Sequence, residues 1–153
     1  MRIAVGSDES TPLTDAVVLE LRRRGMSVEL LGALAEGDDP RWPEVGRKVA
    51  EKVSRGKADQ GVLFCWTGTG VSMAANKVPG VRAALCTDAA TASGARRWNH
   101  ANVLVMGLRL TSQELAREML DAWFSTPPGE GEDADMVARL AALDESYRGV
   151  KAH

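Results

Sequence analysis

The residues best suited to chemistry stand where an apolar run meets a glycine-rich turn. The run 62–64 predicts a strand that delivers Cys65 to its end. Thr67, Gly68, Thr69 and Gly70 then predict a turn into a helix of small residues. This layout puts a thiol beside backbone N–H groups at a helix N-terminus, where negative charge is stabilised. Such a place can remove a proton from a substrate and hold the resulting oxyanion.

Short apolar runs alternate with amphipathic segments along the chain. The runs predict strands at residues 3–5, 28–31, 62–64, 81–85 and 103–106. Helical stripes lie between them, as in chains that wind back and forth across a parallel sheet. The alternation predicts an α/β fold, a doubly wound parallel sheet of about five strands in a three-layer αβα sandwich, Rossmann-like in type.

Polar residues mark where the predicted helices begin. Thr11, followed by proline, starts the first helix, which stops at Gly25. We expect Thr87 to cap the helix that ends near residue 98. We expect Thr111 to form a capping box for the helix that reaches residue 123.

The segment 125–131, rich in proline and glycine, predicts a hinge rather than a domain boundary. Residues 1–153 are therefore expected to form a single domain. The helix beyond the hinge, at about residues 133–143, carries Met136, Leu140 and Leu143 on one stripe. A terminal helix on such a hinge often packs on a neighbouring subunit. We therefore expect a homodimer, which could pair further into a tetramer.

Ligands of doubly wound sheets bind beyond the carboxyl ends of the strands. The predicted ends bring together four groups of residues: Ser7, Asp8 and Glu9; residues 65–70; Cys86 and Asp88; and the turn 107–110. Asp8 is a candidate for substrate binding, although it could equally cap a turn. Cys86 is expected to pack in the core.

Composition narrows the class of protein. The chain has 153 residues with 19 basic and 21 acidic side chains, a net charge of −2. That balance gives no general attraction to nucleic acid or to an anionic membrane. No apolar stretch is long enough to span a membrane, and two cysteines without metal-type pairing suit a reducing cytoplasm. Whether Cys65 and Cys86 could meet in a bridge is left open.

Residues 65–77 resemble a signature of the ribose-5-phosphate isomerase B family, which includes the galactose-6-phosphate isomerase subunits. That signature is cysteine, glycine, threonine, glycine, any residue and glycine, followed later by Ala-Ala-Asn-Lys. The chain matches it except at Trp66, where the family usually has glycine. The resemblance extends over nearly the whole chain, from the Gly-Ser-Asp at residues 6–8 to the Asp-Ala-Trp at residues 121–123.

The resemblance implies an aldose–ketose isomerase that works through an enediolate, without metal or organic cofactor. In this comparison Cys65 matches the base, and Thr67 with the glycine-rich amides orients it and stabilises the enediolate oxygens. Asp8 matches an aspartate that contacts sugar hydroxyls. Asn99 matches an asparagine of a site that lies between subunits in the family.

Several positions depart from the family pattern. Glu9 replaces a histidine, and Trp98 stands where the family has its ring-opening histidine. Glu132 and Met136 replace a pair of arginines that clamp the substrate phosphate. An acidic side chain near a phosphate dianion is repulsive, and the missing arginines supplied bidentate contacts. We therefore expect a substrate other than ribose 5-phosphate.

Three of the four tryptophans fall at site positions of this comparison: Trp42, Trp66 and Trp98. We expect them to line one cleft, where aromatic faces suit sugar C–H surfaces or flat rings. Scattered large hydrophobic residues remain the alternative. The fourth, Trp123, matches a core position.

The remaining candidates are charged or polar side chains near these positions. His100 could replace the missing acid–base group, or it could be a surface or interface residue. Arg41 is a cation that could receive an anionic group, whereas Arg96 and Arg97 are expected to form a solvated helix end. The predicted substrate-binding set is Asp8, Glu9, Arg41, Trp42, Trp66, Gly68, Thr69, Gly70, Asn76, Trp98 and Asn99, and the predicted catalytic set is Cys65, Thr67 and His100.

The leading hypothesis is thus a cytoplasmic isomerase of this type, acting on a sugar or sugar derivative that differs from ribose 5-phosphate. An open-chain substrate would explain the absence of the ring-opening histidine. One alternative is a non-catalytic member, either a sugar-binding protein or the partner subunit of a heteromeric isomerase. Another is a lyase or epimerase that uses the same enediolate chemistry.

Overall fold

A computed structural model describes residues 1–152 of the chain. The strands are β1 (Arg2–Ser7), β2 (Ser27–Gly32), β3 (Gln60–Cys65), β4 (Ala83–Leu85) and β5 (Val103–Gly107). The helices are α1 (Pro12–Arg23), α2 (Trp42–Ser54), α3 (Thr69–Asn76), α4 (Ala89–Asn99), α5 (Gln113–Ser125) and α6 (Glu132–Tyr147). None of these helices is long and apolar enough to cross a membrane.

All five strands are parallel and lie in the order β2-β1-β3-β5-β4. Two apolar clusters flank the sheet. One joins strand residues to α1, α4 and α5, with Trp123 and Phe64 among its buried side chains. The other joins the opposite strand faces to α2 and α3 through Val45, Val49 and Val71. The predicted doubly wound αβα sandwich is confirmed.

The strand order reverses between β1 and β3, and this reversal creates a crevice at the carboxyl edge of the sheet. Ser7 of β1 pairs with Phe64 of β3. The next residues along each strand, Asp8 and Cys65, therefore leave the sheet side by side. The topology alone thus brings the two strongest sequence candidates to the point where ligands of such sheets bind.

Helix starts agree with the sequence predictions at α1 and differ by one residue at α4 and α5. The Thr11 side chain accepts a hydrogen bond from the Thr14 N–H in a capping box. The cap of α4 is Asp88 rather than Thr87, and the cap of α5 is Ser112 rather than Thr111. In each case the cap has extended backbone, and its oxygen reaches the N–H three residues later.

The last helix is longer than expected, and none of its residues is buried. The segment before it is held to the end of α4 by two contacts. The Gly129 N–H donates to the Arg97 carbonyl at 2.8 Å, and the Gly129 carbonyl lies 2.7 Å from Nε2 of His100. The segment predicted as a hinge is therefore fixed to α4 at Gly129.

Candidate active site

Cys65 is the last residue of β3 and is only 6% exposed. The turn after β5 fixes the backbone around it. The Leu108 N–H donates to the Cys65 carbonyl and the Arg109 N–H donates to the Trp66 carbonyl, both at 2.9 Å. The thiol is thus placed at the carboxyl edge of the sheet by β5 and the turn that follows it.

The N-terminus of α3 is left without a side-chain cap, in contrast to those of α1, α4 and α5. Its N-cap is Gly68, in the left-handed region at φ 80°. Within residues 1–152, the N–H groups of Thr69, Gly70 and Val71 have no hydrogen-bond acceptor. Unpaired N–H groups at a helix start attract anions, so these amides are suited to an oxyanion that forms beside Cys65.

The loop can adopt this shape only with glycine at two positions. A Cβ on Gly68 would lie 2.5 Å from Cδ1 of Leu85, in addition to the cost of its positive φ. A Cβ on Gly107, the residue that pairs with Cys65, would lie 2.8 Å from the Thr67 carbonyl oxygen. The loop therefore packs directly on the ends of β4 and β5.

Two hydroxyl groups complete the loop. Oγ1 of Thr67 and Oγ1 of Thr69 lie 2.8 Å apart, and both residues are exposed. They can donate hydrogen bonds to substrate oxygens above the helix start. Thr67, Gly68, Thr69 and Gly70 are thus brought together with Cys65, as the sequence predicts.

Asp8 and Glu9 follow β1 in a turn that Ser7 closes. The Ser7 hydroxyl donates to the Glu9 carbonyl at 2.6 Å and accepts from the Glu9 N–H at 3.2 Å. Burial, together with the nearby Glu9 carboxylate, raises the pKa of the Asp8 carboxyl. Among the described residues, Oδ1 of Asp8 is buried without a hydrogen-bond partner. A carboxyl group in this state is poised to take a hydroxyl donor.

A groove of about 580 Å³ runs from this turn to the start of α2. Its walls are Asp8, Glu9 and residues 40–44. Arg41, the predicted receiver of an anionic group, lies here but is paired with Asp39 at 2.5 Å. The Arg41 guanidinium lowers the pKa of the Asp39 carboxyl well below its usual range. An anionic ligand would have to compete with this ion pair.

Trp42 and Trp66 both lie at the carboxyl edge, and both are exposed. Trp42 is the first residue of α2, and its ring stands against Gly70. Trp66 follows Cys65 directly. These two of the three predicted tryptophans therefore flank the candidate site.

Trp98, Asn99 and His100 lie at the opposite, amino edge of the sheet, so the prediction that three tryptophans line one cleft is wrong for a single chain. The reason is that α4 runs antiparallel to the strands. The carbonyl of His100 accepts from Nε of Arg82, immediately before β4 begins. The ring of Trp98 folds back over Gly94 on the same helix, where a Cβ would lie 2.7 Å from it.

The contacts of His100 are structural within the chain. It ends α4 with a positive φ of 47°, and its ring is hydrogen-bonded to Gly129. Within residues 1–152, neither its carbonyl nor its ring hydrogen-bonds to the Cys65 loop. Asn99 is exposed and lines a groove of about 800 Å³ between the amino edge and α6.

Two further predicted roles do not fit the contacts. Asn76 uses both side-chain polar atoms on the Ala83 backbone, at 2.8 and 2.9 Å, so it ties α3 to the start of β4 instead of reaching a ligand at the carboxyl edge. Arg96 is not a solvated residue: it is half-buried over the Trp123 ring and donates to the Ala101 carbonyl. Arg97 is exposed, as expected.

Sequence reasoning missed Arg109. It lies in the turn that follows β5, next to Trp66 in the hydrogen-bonding pattern. Its side chain is exposed, and among residues 1–152 no carboxylate lies within ion-pair distance of it. The signal was available, because the turn 107–110 was assigned to the site without attention to its charge.

Both cysteines are free thiols. Within the described residues, no group of three or more His, Cys, Asp or Glu side chains is arranged to hold a metal ion. The groups that the carboxyl edge presents are a thiol, two hydroxyl groups, two carboxyl groups, the Arg109 guanidinium and unpaired amides.

Comparison with known proteins gives a consistent result. Residues 3–140 match a protein-family model described as Ribose/Galactose Isomerase. D-erythrulose-4-phosphate isomerase from Pectobacterium atrosepticum is 34% identical over 149 residues, covering 97% of this chain and 98% of the relative. A galactose-6-phosphate isomerase subunit from Clostridium acetobutylicum is 38% identical, with 97% and 87% covered. Ribose-5-phosphate isomerase B from Clostridium thermocellum superposes with a TM-score of 0.89 at 36% identity, covering 96% of this chain and 99% of that one.

Proposed function

The chain belongs to the ribose-5-phosphate isomerase B and galactose-6-phosphate isomerase family, and from that premise we propose that it interconverts an aldose phosphate and its ketose, with Cys65 as the base. One observation carries the proposal: a nearly buried thiol stands directly before a helix start whose amides are unpaired. That combination provides both a proton acceptor and donors for the oxyanion that proton removal creates.

The reaction needs no oxidant. The C–H bond at carbon 2 of the aldose breaks, its proton goes to Sγ of Cys65, and its electron pair forms the double bond of an enediolate. The former carbonyl oxygen becomes an oxyanion that accepts from the amides of Gly70 and Val71. Return of the proton to carbon 1, with transfer of a hydroxyl proton from oxygen 2 to oxygen 1, gives the ketose. In this proposal the hydroxyl of Thr67 assists that second transfer.

Replacement of Cys65 by alanine tests the assignment of the base. We expect the incorporation of solvent deuterium into substrate to fall by ~10²–10⁴-fold, the usual contribution of a positioned acid–base group. Cys86→Ala is the matched control, because Cys86 lies in the core and should leave exchange unchanged. Full exchange by Cys65→Ala would overturn the assignment.

Other outcomes of the same assay separate the alternative functions. No exchange by the unaltered protein on any sugar phosphate would favour a non-catalytic partner subunit. A product with changed carbon number or stereochemistry would indicate a lyase or an epimerase.

We propose that Arg109 binds the substrate phosphate. The acidic first turn of α6, with Glu132, Asp133 and Asp135, is unsuited to that role. Arg109 lies beside the Cys65 loop and has no carboxylate partner among residues 1–152. We expect Arg109→Gln to raise KM for a phosphorylated substrate ~10-fold or more, consistent with the loss of a hydrogen bond to a charged group. An unchanged KM would contradict the assignment.

We further propose that the preferred substrate stays in open-chain form. Trp98, which has no acid–base group, stands where the family has its ring-opening histidine. The ring of His100 is hydrogen-bonded to Gly129. A four-carbon sugar esterified at its terminal oxygen has no hydroxyl that could close a five-membered ring. The relative from Pectobacterium atrosepticum named D-erythrulose-4-phosphate isomerase supports such a substrate.

Rates measured against enzyme concentration test this substrate class. With D-erythrose 4-phosphate the rate should rise in proportion to enzyme. With ribose 5-phosphate it should be negligible or level off at the rate of spontaneous ring opening. A rate with ribose 5-phosphate that exceeds spontaneous opening would show that the protein opens the ring itself.

The proposal includes a homodimer with a shared site, in the cytoplasm that its free thiols suit. Asn99 and Trp98 lie at the far edge from Cys65, so only a second copy could bring them to it. The unburied α6 exposes Met136, Leu140, Leu143 and Tyr147, which supports a partner on that face.

Mixed dimers test the shared site. Cys65→Ala and Asn99→Ala chains should each be weakly active alone and should recover activity when co-refolded, because one of two sites is then intact. Absence of recovery in a confirmed mixed dimer would contradict sharing. A monomeric molar mass measured by light scattering would contradict the proposed dimer.

A further inference from the structure

The ring of Trp42 is in contact with the helix start that follows Cys65. A Cβ built on Gly70 would lie 3.0 Å from both Cδ2 and Cε3 of the indole. Contacts this short are tighter than most real Cβ contacts, so an added methyl would press on the ring, which packs close to the backbone of Gly70. Trp42 is in turn fixed by its position as the first residue of α2.

The same contact repeats one turn further along both helices. A Cβ on Gly46 would lie 2.7 Å from Cβ of Ala74 and 2.9 Å from the Val71 carbonyl oxygen. Positions four apart lie on one helix face, so Trp42 with Gly70 and Gly46 with Ala74 form two successive layers of one interface. At both layers a side chain packs directly against the backbone of the facing helix, and these contacts set the distance between α2 and α3.

The ring contacts the loop on the side that faces α2. The turn after β5 holds the other side, through Cys65 and Trp66. No capping side chain holds the start of α3. The indole is also 45% exposed and forms a wall of the groove that contains Asp8. It thus connects the groove to the Gly70 amide.

We propose that Trp42 is a positioning residue for the isomerase reaction, fixing the Gly70 amide where the enediolate oxygen forms. The inference rests on the proposed function and adds a residue that acts through the oxyanion donors. A smaller side chain at position 42 leaves the start of α3 free to shift, and a shift of ~1 Å at a reacting group costs ~10²-fold in rate. The loss should appear in kcat rather than in KM.

A double-mutant cycle tests the proposal. Gly70→Ala should lower kcat because its Cβ presses on the ring, and Trp42→Leu should lower kcat ~10-fold or more with KM changed less than ~2-fold. In the double variant the added methyl meets open space, so Gly70→Ala should cost little further. Trp66→Leu serves as the control, since its effect should add to that of Gly70→Ala. Additive losses for Trp42→Leu, or a change confined to KM, would overturn the proposal.

A second measurement does not depend on isomerase activity. The rate of iodoacetamide alkylation of Cys65 at one fixed pH, followed by peptide mapping, should rise in Trp42→Leu, because a displaced helix start uncovers a thiol that is only 6% exposed. A faster rate in a protein with no isomerase activity would refute the proposed function and keep the positioning role. An unchanged rate together with additive kcat losses would refute the positioning role alone. If Trp42→Leu does not fold, Trp42→Phe provides the same two readouts.

Discussion

The chain contains two junctions of the same design, each with a cysteine at a strand end followed by a turn and a helix. At the β3–α3 junction, Cys65 precedes a glycine turn and an uncapped helix. At the β4–α4 junction, Cys86 precedes Thr87 and a helix that Asp88 caps by accepting from the Thr91 N–H at 2.7 Å. The local order of elements is the same, and the chemistry is different.

Burial accounts for most of that difference, and the capping residue adds to it. Burial, together with the Asp88 carboxylate, raises the pKa of the Cys86 thiol to about 12, so it stays protonated. The thiol is 1% exposed and contacts the Ala84 carbonyl. At Cys65 no carboxylate occupies the helix start, and its amides remain available to a ligand. Of the two cysteines, the proposed base is thus the one that precedes an uncapped helix.

Gly68→Ala should have the largest effect, since it disrupts the reactive junction. Its Cβ would combine left-handed strain with a 2.5 Å approach to Leu85. We expect a loss of ~2–4 kcal/mol in the free energy of unfolding, from strain and overpacking together, measured by urea denaturation. Gly25→Ala, with φ 81° and nothing within 4 Å, is the control and should lose only the ~1–2 kcal/mol of backbone strain. Equal losses would show that the loop is not closely packed.

Thiol labelling compares the two cysteines directly. Under native conditions iodoacetamide should modify Cys65 at least ~10²-fold faster than Cys86, because the latter requires opening of the core. Mass spectrometry of the two peptides measures both rates in one sample. Comparable alkylation rates would contradict the claim that the two cysteines differ in reactivity.

Asp88→Ala removes the cap from the unreactive junction. We expect a loss of ~1 kcal/mol in the free energy of unfolding, typical of an N-cap, with isomerase activity retained. Thr87→Ala is the control at the neighbouring position that the sequence favoured, and it should leave stability nearly unchanged. The opposite ranking would place the cap at Thr87.

The alkaline limb of stability tests the protonation state of the Cys86 thiol. Because the pKa of Cys86 is raised from 9.0 to about 12, its contribution is complete below pH 9.0 and is lost as pH rises toward 12. The unfolded chain ionises first, which favours unfolding. Cys86→Ala should therefore lose less stability over this range than the unaltered protein, as followed by urea midpoints. Parallel curves would contradict the raised pKa.

The sequence predicted the elements better than their ends. Apolar runs and helical stripes are repeated patterns, so all five strands and the αβα layering could be read from them. Caps were misplaced by one residue at Thr87 and Thr111, because the choice between adjacent polar residues depends on backbone angles that a pattern does not contain. The last helix extends further than its apolar stripe indicated.

The candidate site, too, was predicted only in part from the sequence. Asp8 and the loop 65–70 were found because strand ends meet at one edge of a parallel sheet. Trp98 was grouped with them because the comparison was made position by position, although its place at the end of a predicted helix already indicated the opposite edge of the sheet. The roles predicted for Asn76 and Arg96 were wrong because the sequence did not reveal what they contact. Asn76 binds the Ala83 backbone, and Arg96 lies over the Trp123 ring.

The exposure of α6 has a consequence for how this protein can evolve. Substitutions on a helix that buries none of its side chains leave the stability of the single chain within ~0.5 kcal/mol. The acidic residues of its first turn could therefore replace basic ones without a cost to folding. The proposed base lies at the end of a core strand, whereas α6 can change its charge without affecting that strand. Such a division would let the surface of α6 diverge while the carboxyl edge stays constant.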